Sequence, residues 1–333
     1  MPDEAQLKIF KQRLASERFV STDVIEALRA CQPNALPMDI LQAGVSLMAN
    51  HDPDIEQQSA EASDRMAVRL IAKFPVLMAA WERIRTGRPV VEAVPDLDHA
   101  ASFMYMLTGQ RPDKDLTHFM DVAFVLHAEH SFNASTFAAR EVASTRAHMY
   151  AAVSAAVGSL SGELHGGANV RVMQMLKKIG SVAAVDDYIQ DQLDSGGLIF
   201  GLGHAVYKTD DPRAHILAPM SKKLCSSIGE PQWYEISREV EQKGKAAFKT
   251  QKGIDIFTNV DFYSASLYYA MGIPMDLFTP VFAISRVAGW TAHVIEEQFA
   301  GAAEKPALYR PESDYIGDYC GPEECTFVPI DER

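Results

Sequence analysis

Between positions 64 and 87 the apolar residues Met66, Leu70, Phe74, Leu77, Trp81 and Ile84 recur every three or four places, the spacing that lines one face of an α-helix. Gly87 and Pro89 follow, and both end helices. A second run, FTPVFAISRVAGWTAHVIEEQF, places Thr279 as N-cap and Pro280 at the first helical position, where a missing N–H costs no intrahelical bond. This helix is expected to run to about Gln298. Alternating strand patterns bounded by hairpin turns are scarce, so the expected fold is all-α. Most other glycine and proline clusters are spaced as short helix connectors.

A chain of 333 residues buries a sizeable core, and 47% hydrophobic with 23% charged residues is ordinary for a soluble globular protein. Its net charge of −13 argues against a nonspecific nucleic-acid surface, because that affinity comes from Lys and Arg neutralising phosphates. A small anionic substrate therefore needs arginines gathered locally. The opening MPDEAQLKIFKQRLASERF is charged throughout, and no apolar run approaches a membrane span, so neither export nor membrane insertion is expected. Cys31, Cys225, Cys320 and Cys325 read as reduced thiols of a cytoplasmic protein. The Cys320–Cys325 spacing lacks a second pair, and His127 with His130 lacks further ligands, so no metal site is expected.

Three separated segments carry the chemistry: GELHGGAN (162–169), FGLGHAVYKTDDPR (200–213) and NVDFYSAS (259–266). They set His165, His204 and Asp261 beside glycines or small residues. Two imidazoles and a carboxylate move protons near neutral pH, and Arg213 can hold an anion. Such a set suits carbon–carbon bond formation through an enol. Asp261 has two readings, a helix-terminal charge or cap and a base whose pKa rises through desolvation by Phe262 and Tyr263. His165 likewise reads either as a buried histidine bonded to a carbonyl or as a donor to a developing oxyanion. Gly201-x-Gly203 lacks the third glycine and the βαβ surroundings of a dinucleotide fingerprint. Arg213, Arg286 and Arg310 are candidates for carboxylates, which the planar guanidinium binds through two parallel bonds. For Arg286, in the middle of a helical run, the residue-level expectation is an outward, solvated side chain.

Taken together, these segments resemble those of the citrate synthase family from about Leu7 to about Gly317. The resemblance implies a two-domain helical fold, with residues 1–167 and 275–333 forming a large, dimer-forming domain and 168–274 a small one. It implies condensation of acetyl-CoA with oxaloacetate, with Asp261 as base, His165 on the thioester oxygen and His204 on the keto oxygen. His130, Arg213, Arg286 and Arg310 would bind oxaloacetate, with Arg310 reaching the other subunit's site in a homodimer. Gly201, Gly203, Lys208 and Lys252 would contact coenzyme A. No permanently bound cofactor is implied; the acyl-CoA is a co-substrate.

The chain departs from the family in several places. It begins after a tyrosine-arginine-glycine segment that the family usually has, and contacts to the dimer or to coenzyme A are expected to weaken. Glu163 replaces a proline, Val170 a glutamate and Ala205 an arginine, and the stretch from Arg286 to Arg310 is about five residues longer. Alternatives are 2-methylcitrate synthase acting on propionyl-CoA, a citryl-CoA lyase, and a noncatalytic relative that binds acyl-CoA or dicarboxylate.

Overall fold

The computed structural model describes residues 2–203, 209–299, 308–314, 316–317 and 329–332. Among them are fourteen α-helices: α1 (Glu4–Ser16), α2 (Thr22–Arg29), α3 (Pro37–Ala49), α4 (Ala60–Arg85), α5 (His99–Thr108), α6 (Lys114–His127), α7 (Ala134–Ser144), α8 (Met149–Ser161), α9 (Ala168–Ile179), α10 (Val185–Ser195), α11 (Pro212–Ser227), α12 (Gln232–Lys252), α13 (Val260–Ala270) and α14 (Phe278–Phe299). Strand pairing among the described residues is one antiparallel bridge, Leu202 to Thr258. No helix among them is long and apolar enough to cross a membrane.

The stripe predicted over 64–87 forms the inner face of α4, where Met66, Leu70, Phe74, Leu77 and Trp81 are buried. Ser59 caps its start, accepting the Ala62 N–H at 3.1 Å, which satisfies one of the unpaired donors of the first turn. Helix α14 is the hub, packing against α3, α4 and α6–α9, while α9–α13 pack chiefly on one another. Every turn of α14 from Phe278 to Val294 buries at least one large apolar side chain, Trp290 completely.

The start of α14 differs from the sequence expectation. Pro274 opens a 3₁₀ turn at Met275–Leu277 that leads straight into the helix at Phe278. Thr279 is therefore inside the helix rather than its N-cap. Its hydroxyl donates instead to the Gly166 carbonyl at 2.8 Å.

A buried ion cluster ties the α3–α4 connection to α4 and α8. Arg69 donates to Asp52 at 2.8 Å and to Asp54 at 2.7 Å, Arg65 grips Asp54 through two bonds, and the Tyr150 hydroxyl donates to Asp52 at 2.6 Å. The hydrogen bonds from Arg65 and Arg69 hold the Asp54 carboxyl well below the usual carboxylate range. Arg69→Met strands Asp52 and is expected to lower unfolding free energy by about 3–5 kcal/mol, against about 1–3 kcal/mol for Tyr150→Phe. Urea denaturation measures both. A loss from Arg69→Met no larger than the ~0–1 kcal/mol of an exposed pair contradicts this account.

Candidate functional site

His165 sits in the turn joining α8 to α9. The chain doubles back there, with the His165 and Gly166 N–H groups both donating to the Gly162 carbonyl at 2.9 and 3.0 Å. A Cβ on Gly166 would lie 2.0 Å from the Leu160 oxygen, so only glycine allows the approach. On one flank Glu163 forms an ion pair with Arg171 of α9, and on the other Val170 packs against the core.

The imidazole points at the start of α7. Its Nε2 accepts the Ser135 backbone N–H at 3.2 Å and lies 2.8 Å from the Ser135 hydroxyl. That hydroxyl donates to Asn133 Oδ1 at 2.8 Å and accepts from the Trp290 indole at 3.1 Å. A backbone N–H can only donate, so the network assigns the ring proton to Nδ1. Burial, with Arg286 nearby, lowers the His165 pKa to about 4, and the ring is neutral at pH 7.

Asp261 is the second residue of α13. Asn259 caps that helix, accepting the Asp261 N–H at 3.1 Å, and its amide donates to the Gly203 carbonyl at 3.0 Å. Burial pushes the Asp261 carboxyl up to about 6, against the opposing pull of Arg213 and Arg286. Gly201 has φ +82°, and a Cβ there would fall 2.4 Å from the Phe262 ring, so the 201–203 segment lies directly on α13.

Arg213 stands at the start of α11. The fully buried Asp211 caps that helix and holds the guanidinium, with Nη2–Oδ2 at 2.7 Å and Nε–Oδ1 at 3.0 Å. Arg286, expected to point outward, is 2% exposed. The reason is packing: α14 is covered on nearly all sides, and the guanidinium donates to the His127 carbonyl at 2.6 Å and lies 4.5 Å from the Phe282 ring centre. Burial and the Arg213 charge lower its pKa to about 10.

The structure thus brings His165, Asp261, Arg213 and Arg286 into one electrostatic neighbourhood. Asp261 responds to both arginines, the arginines oppose each other, and Arg286 bears on His165. Arg213 is compensated by Asp211, whereas Arg286 has no carboxylate hydrogen-bonded to it among the described residues. His130 lies in the α6–α7 turn, three residues past the buried end of α6, where His127 donates to the Ala123 carbonyl and packs edge-on to Phe282. Lys252 is exposed at the end of α12, its ammonium over the Phe248 ring at 5.2 Å. Arg310 is exposed beside Tyr309, which is tied to Ser144 and Glu297. Neither of these two joins the cluster. His204, Lys208, Ala205, Cys320 and Cys325 lie outside the described residues.

Sequence reasoning missed Ser135, Trp290, Asn259 and Asp211. Asn259 and Asp211 carry a legible signal: each is the N-cap of a helix, two residues before one already singled out.

The family model "Citrate synthase, C-terminal domain" matches residues 1–312. Citrate synthase 2 of Bacillus subtilis is 42% identical over 334 residues, covering 100% of this chain and 86% of that protein. The 2-methylcitrate synthase of Shewanella oneidensis is 37% identical over 318 residues, covering 95% and 81%. Among solved structures, Pyrobaculum aerophilum citrate synthase superposes with a TM-score of 0.89 at 34% identity, over 100% of this chain and 83% of that one. The Thermoplasma acidophilum citrate synthase complex with carboxymethyl coenzyme A and oxaloacetate gives 0.88 at 31%, over 100% and 85%.

Folded Asp261 keeps its proton up to about pH 6, whereas an unfolded aspartate releases it near 4. Between these values the folded state binds more protons, so stability falls as pH rises. Above pH 6 the whole penalty is present, roughly 3 kcal/mol at about 1.4 kcal/mol per pK unit. Asp261→Asn is therefore expected to be more stable than the parent at pH 7.5, by up to that amount, with the gain shrinking toward pH 4. Thermal melts at both pH values decide; a less stable Asn variant at pH 7.5 refutes the linkage.

Proposed function

We propose a division of labour among the site residues from a plain premise: the chain belongs to the citrate synthase family. The reaction is condensation of acetyl-CoA with oxaloacetate and water, giving citrate and free coenzyme A. The observation that best supports the roles below is a part-buried carboxyl, its pKa lifted by desolvation to about 6, in the same electrostatic neighbourhood as an imidazole whose Nε2 is committed to Ser135. Asp261 lies within the field of Arg213 and Arg286, and His165 within that of Arg286.

In this reading Asp261 removes a proton from the acetyl methyl group, and its raised pKa narrows the gap to that weak acid. His165 donates its Nδ1–H to the thioester oxygen, where negative charge develops as the enol forms; one such donor is worth roughly 10²–10³ in rate. Because the ring is neutral and its other nitrogen is occupied, it is oriented before the substrate arrives. The enol carbon attacks the keto carbon of oxaloacetate, polarised by His204. Arg213, Arg286 and His130 hold the dicarboxylate, and water then cleaves the citryl thioester.

Gly201, Gly203, Lys208 and Lys252 contact coenzyme A in the same proposal. The acyl-CoA is a co-substrate and no resident cofactor takes part. The enzyme is a cytoplasmic homodimer in which Arg310, exposed on this chain, completes the neighbouring subunit's site. Residues 168–274 form a small domain that closes on 1–167 and 275–333 about Gly196–Gly197 and Gly272–Pro274, excluding water from the enol. The preference of α9–α13 for one another's company supports that division.

Asp261→Ala is expected to lower kcat by at least about 10³-fold while the KM for oxaloacetate moves only a few-fold, as for a group acting in the transition state. Thiol release with both substrates measures this, and equal losses in both parameters reject Asp261 as base. In the parent enzyme the acidic limb of kcat/KM is expected near pH 6, following Asp261; a limb near 4 points to an unperturbed carboxylate. The relative that acts as a 2-methylcitrate synthase keeps propionyl-CoA as a second acyl donor. One methylene is worth only about 1–3 kcal/mol of discrimination, so steady-state rates with both thioesters measure the preference directly.

A further inference from the structure

Residues 257–259 form a short extended segment that holds both ends of the stretch containing His204. Upstream, the Gly203 N–H donates to the Phe257 carbonyl at 2.6 Å and the Asn259 N–H to the Gly201 carbonyl at 3.0 Å. Downstream, the Asp211 N–H donates to the Thr258 carbonyl at 3.0 Å, and the Thr258 N–H donates to Asp210 Oδ1 at 2.9 Å. The same segment leads directly into α13 and Asp261. Its placement therefore sets the spacing between Arg213, Asp261 and the ends of the 204–208 stretch.

What holds this segment is a buried polar group on α12. Glu241, 6% exposed, accepts four donors: Thr258 Oγ1 at 3.0 Å, Lys245 Nζ at 2.9 Å, Arg238 Nη1 at 2.5 Å and the Tyr263 hydroxyl. That fills the acceptor positions of both oxygens. Burial alone would raise the Glu241 pKa, but the bonds from Tyr263, Lys245 and Thr258 and the Lys245 charge hold it down to about 2. Lys245 also donates to Asp210 Oδ1 at 2.6 Å, the oxygen that accepts the Thr258 N–H. One ammonium thus joins α12 to the loop before α11, while Glu241 joins α12 to the segment before α13.

We propose that Lys245, acting with Glu241 and Asp210, is a positioning residue for the condensation: it fixes the loop before Arg213 against the segment before Asp261, and so sets the distance between the dicarboxylate-holding and proton-removing groups. It touches neither substrate. The proposal rests on the roles assigned above to Arg213, His204 and Asp261. A displacement of about 1 Å in such a constellation costs on the order of 10²-fold in rate, so a small slackening of this junction registers in turnover. A purely structural tie would register in melting temperature alone.

The test compares Lys245→Met, Lys245→Arg and Asp210→Asn with the parent full-length protein, using thiol release from acetyl-CoA with oxaloacetate and circular-dichroism melts. Lys245→Met is expected to lower kcat about tenfold or more, with the KM for acetyl-CoA within about twofold, and Lys245→Arg to recover kcat to within about threefold of the parent. Asp210→Asn keeps an acceptor for the Thr258 N–H but loses the ion pair, and is expected to lower kcat several-fold even where Lys245→Met does not fold. Folded Lys245→Met, or folded Asp210→Asn, with kcat within twofold of the parent overturns the proposal. Loss of kcat in Lys245→Arg equal to that in Lys245→Met also overturns it. Asp261→Ala serves as the reference: parental turnover in that variant defeats the underlying site assignment, a failure separable from normal turnover in the α12 and loop variants.

Discussion

Taking the Arg286 guanidinium out of water is costly, because burial of a charge in a low-dielectric interior forfeits several kcal/mol of hydration unless partners replace it. The replacement found here is partial: one carbonyl at the end of α6 and the face of an aromatic ring one turn earlier on α14. The result is a cation whose own pKa is depressed and whose field reaches Asp261 and His165. Only a helix covered by α3, α4 and α6–α9 can hold a charge in this way. In the proposed function, a bound dicarboxylate supplies the missing compensation.

Asp261 illustrates the tension this creates. Two arginines draw its pKa down, yet burial outweighs them. The carboxylate is thereby kept basic at the expense of stability, since an ionised group in a poorly solvated place destabilises the fold that contains it. His165 is shifted the opposite way by the same desolvation. Desolvation thus raises the pKa of the carboxyl and lowers that of the imidazole.

A recurring local device places these groups. Asn259 accepts the N–H of Asp261, Asp211 that of Arg213, and Asn133 that of Thr136 beside Ser135, which holds His165. Each is a helix N-cap, and each serves a second purpose by bonding a neighbouring backbone or side chain of the site. The first turn of a helix is rigid and presents unpaired N–H groups, so residues there are aimed with little conformational freedom. That places Ser135, Arg213 and Asp261 each in the first turn of a helix, α7, α11 and α13.

The helical character of the chain was legible in its sequence because apolar residues at three- and four-residue spacing leave few other ways to remove them from water; the buried face of α4 follows that stripe from Met66 to Trp81. The chemistry-bearing residues were legible as residue types beside glycines, and Gly166 and Gly201 are required by close approaches that no side chain permits. Other features depended on contacts between segments far apart in the chain. The burial of Arg286 was not visible, since helical spacing says which residues share a face but not how many neighbours cover the helix. The start of α14 was misjudged because Thr279 finds a carbonyl more than a hundred residues away. The protonated nitrogen of His165 and the pKa of Asp261 are likewise products of tertiary structure: both are set by desolvation and by donors from other helices, quantities that exist only once the chain has folded.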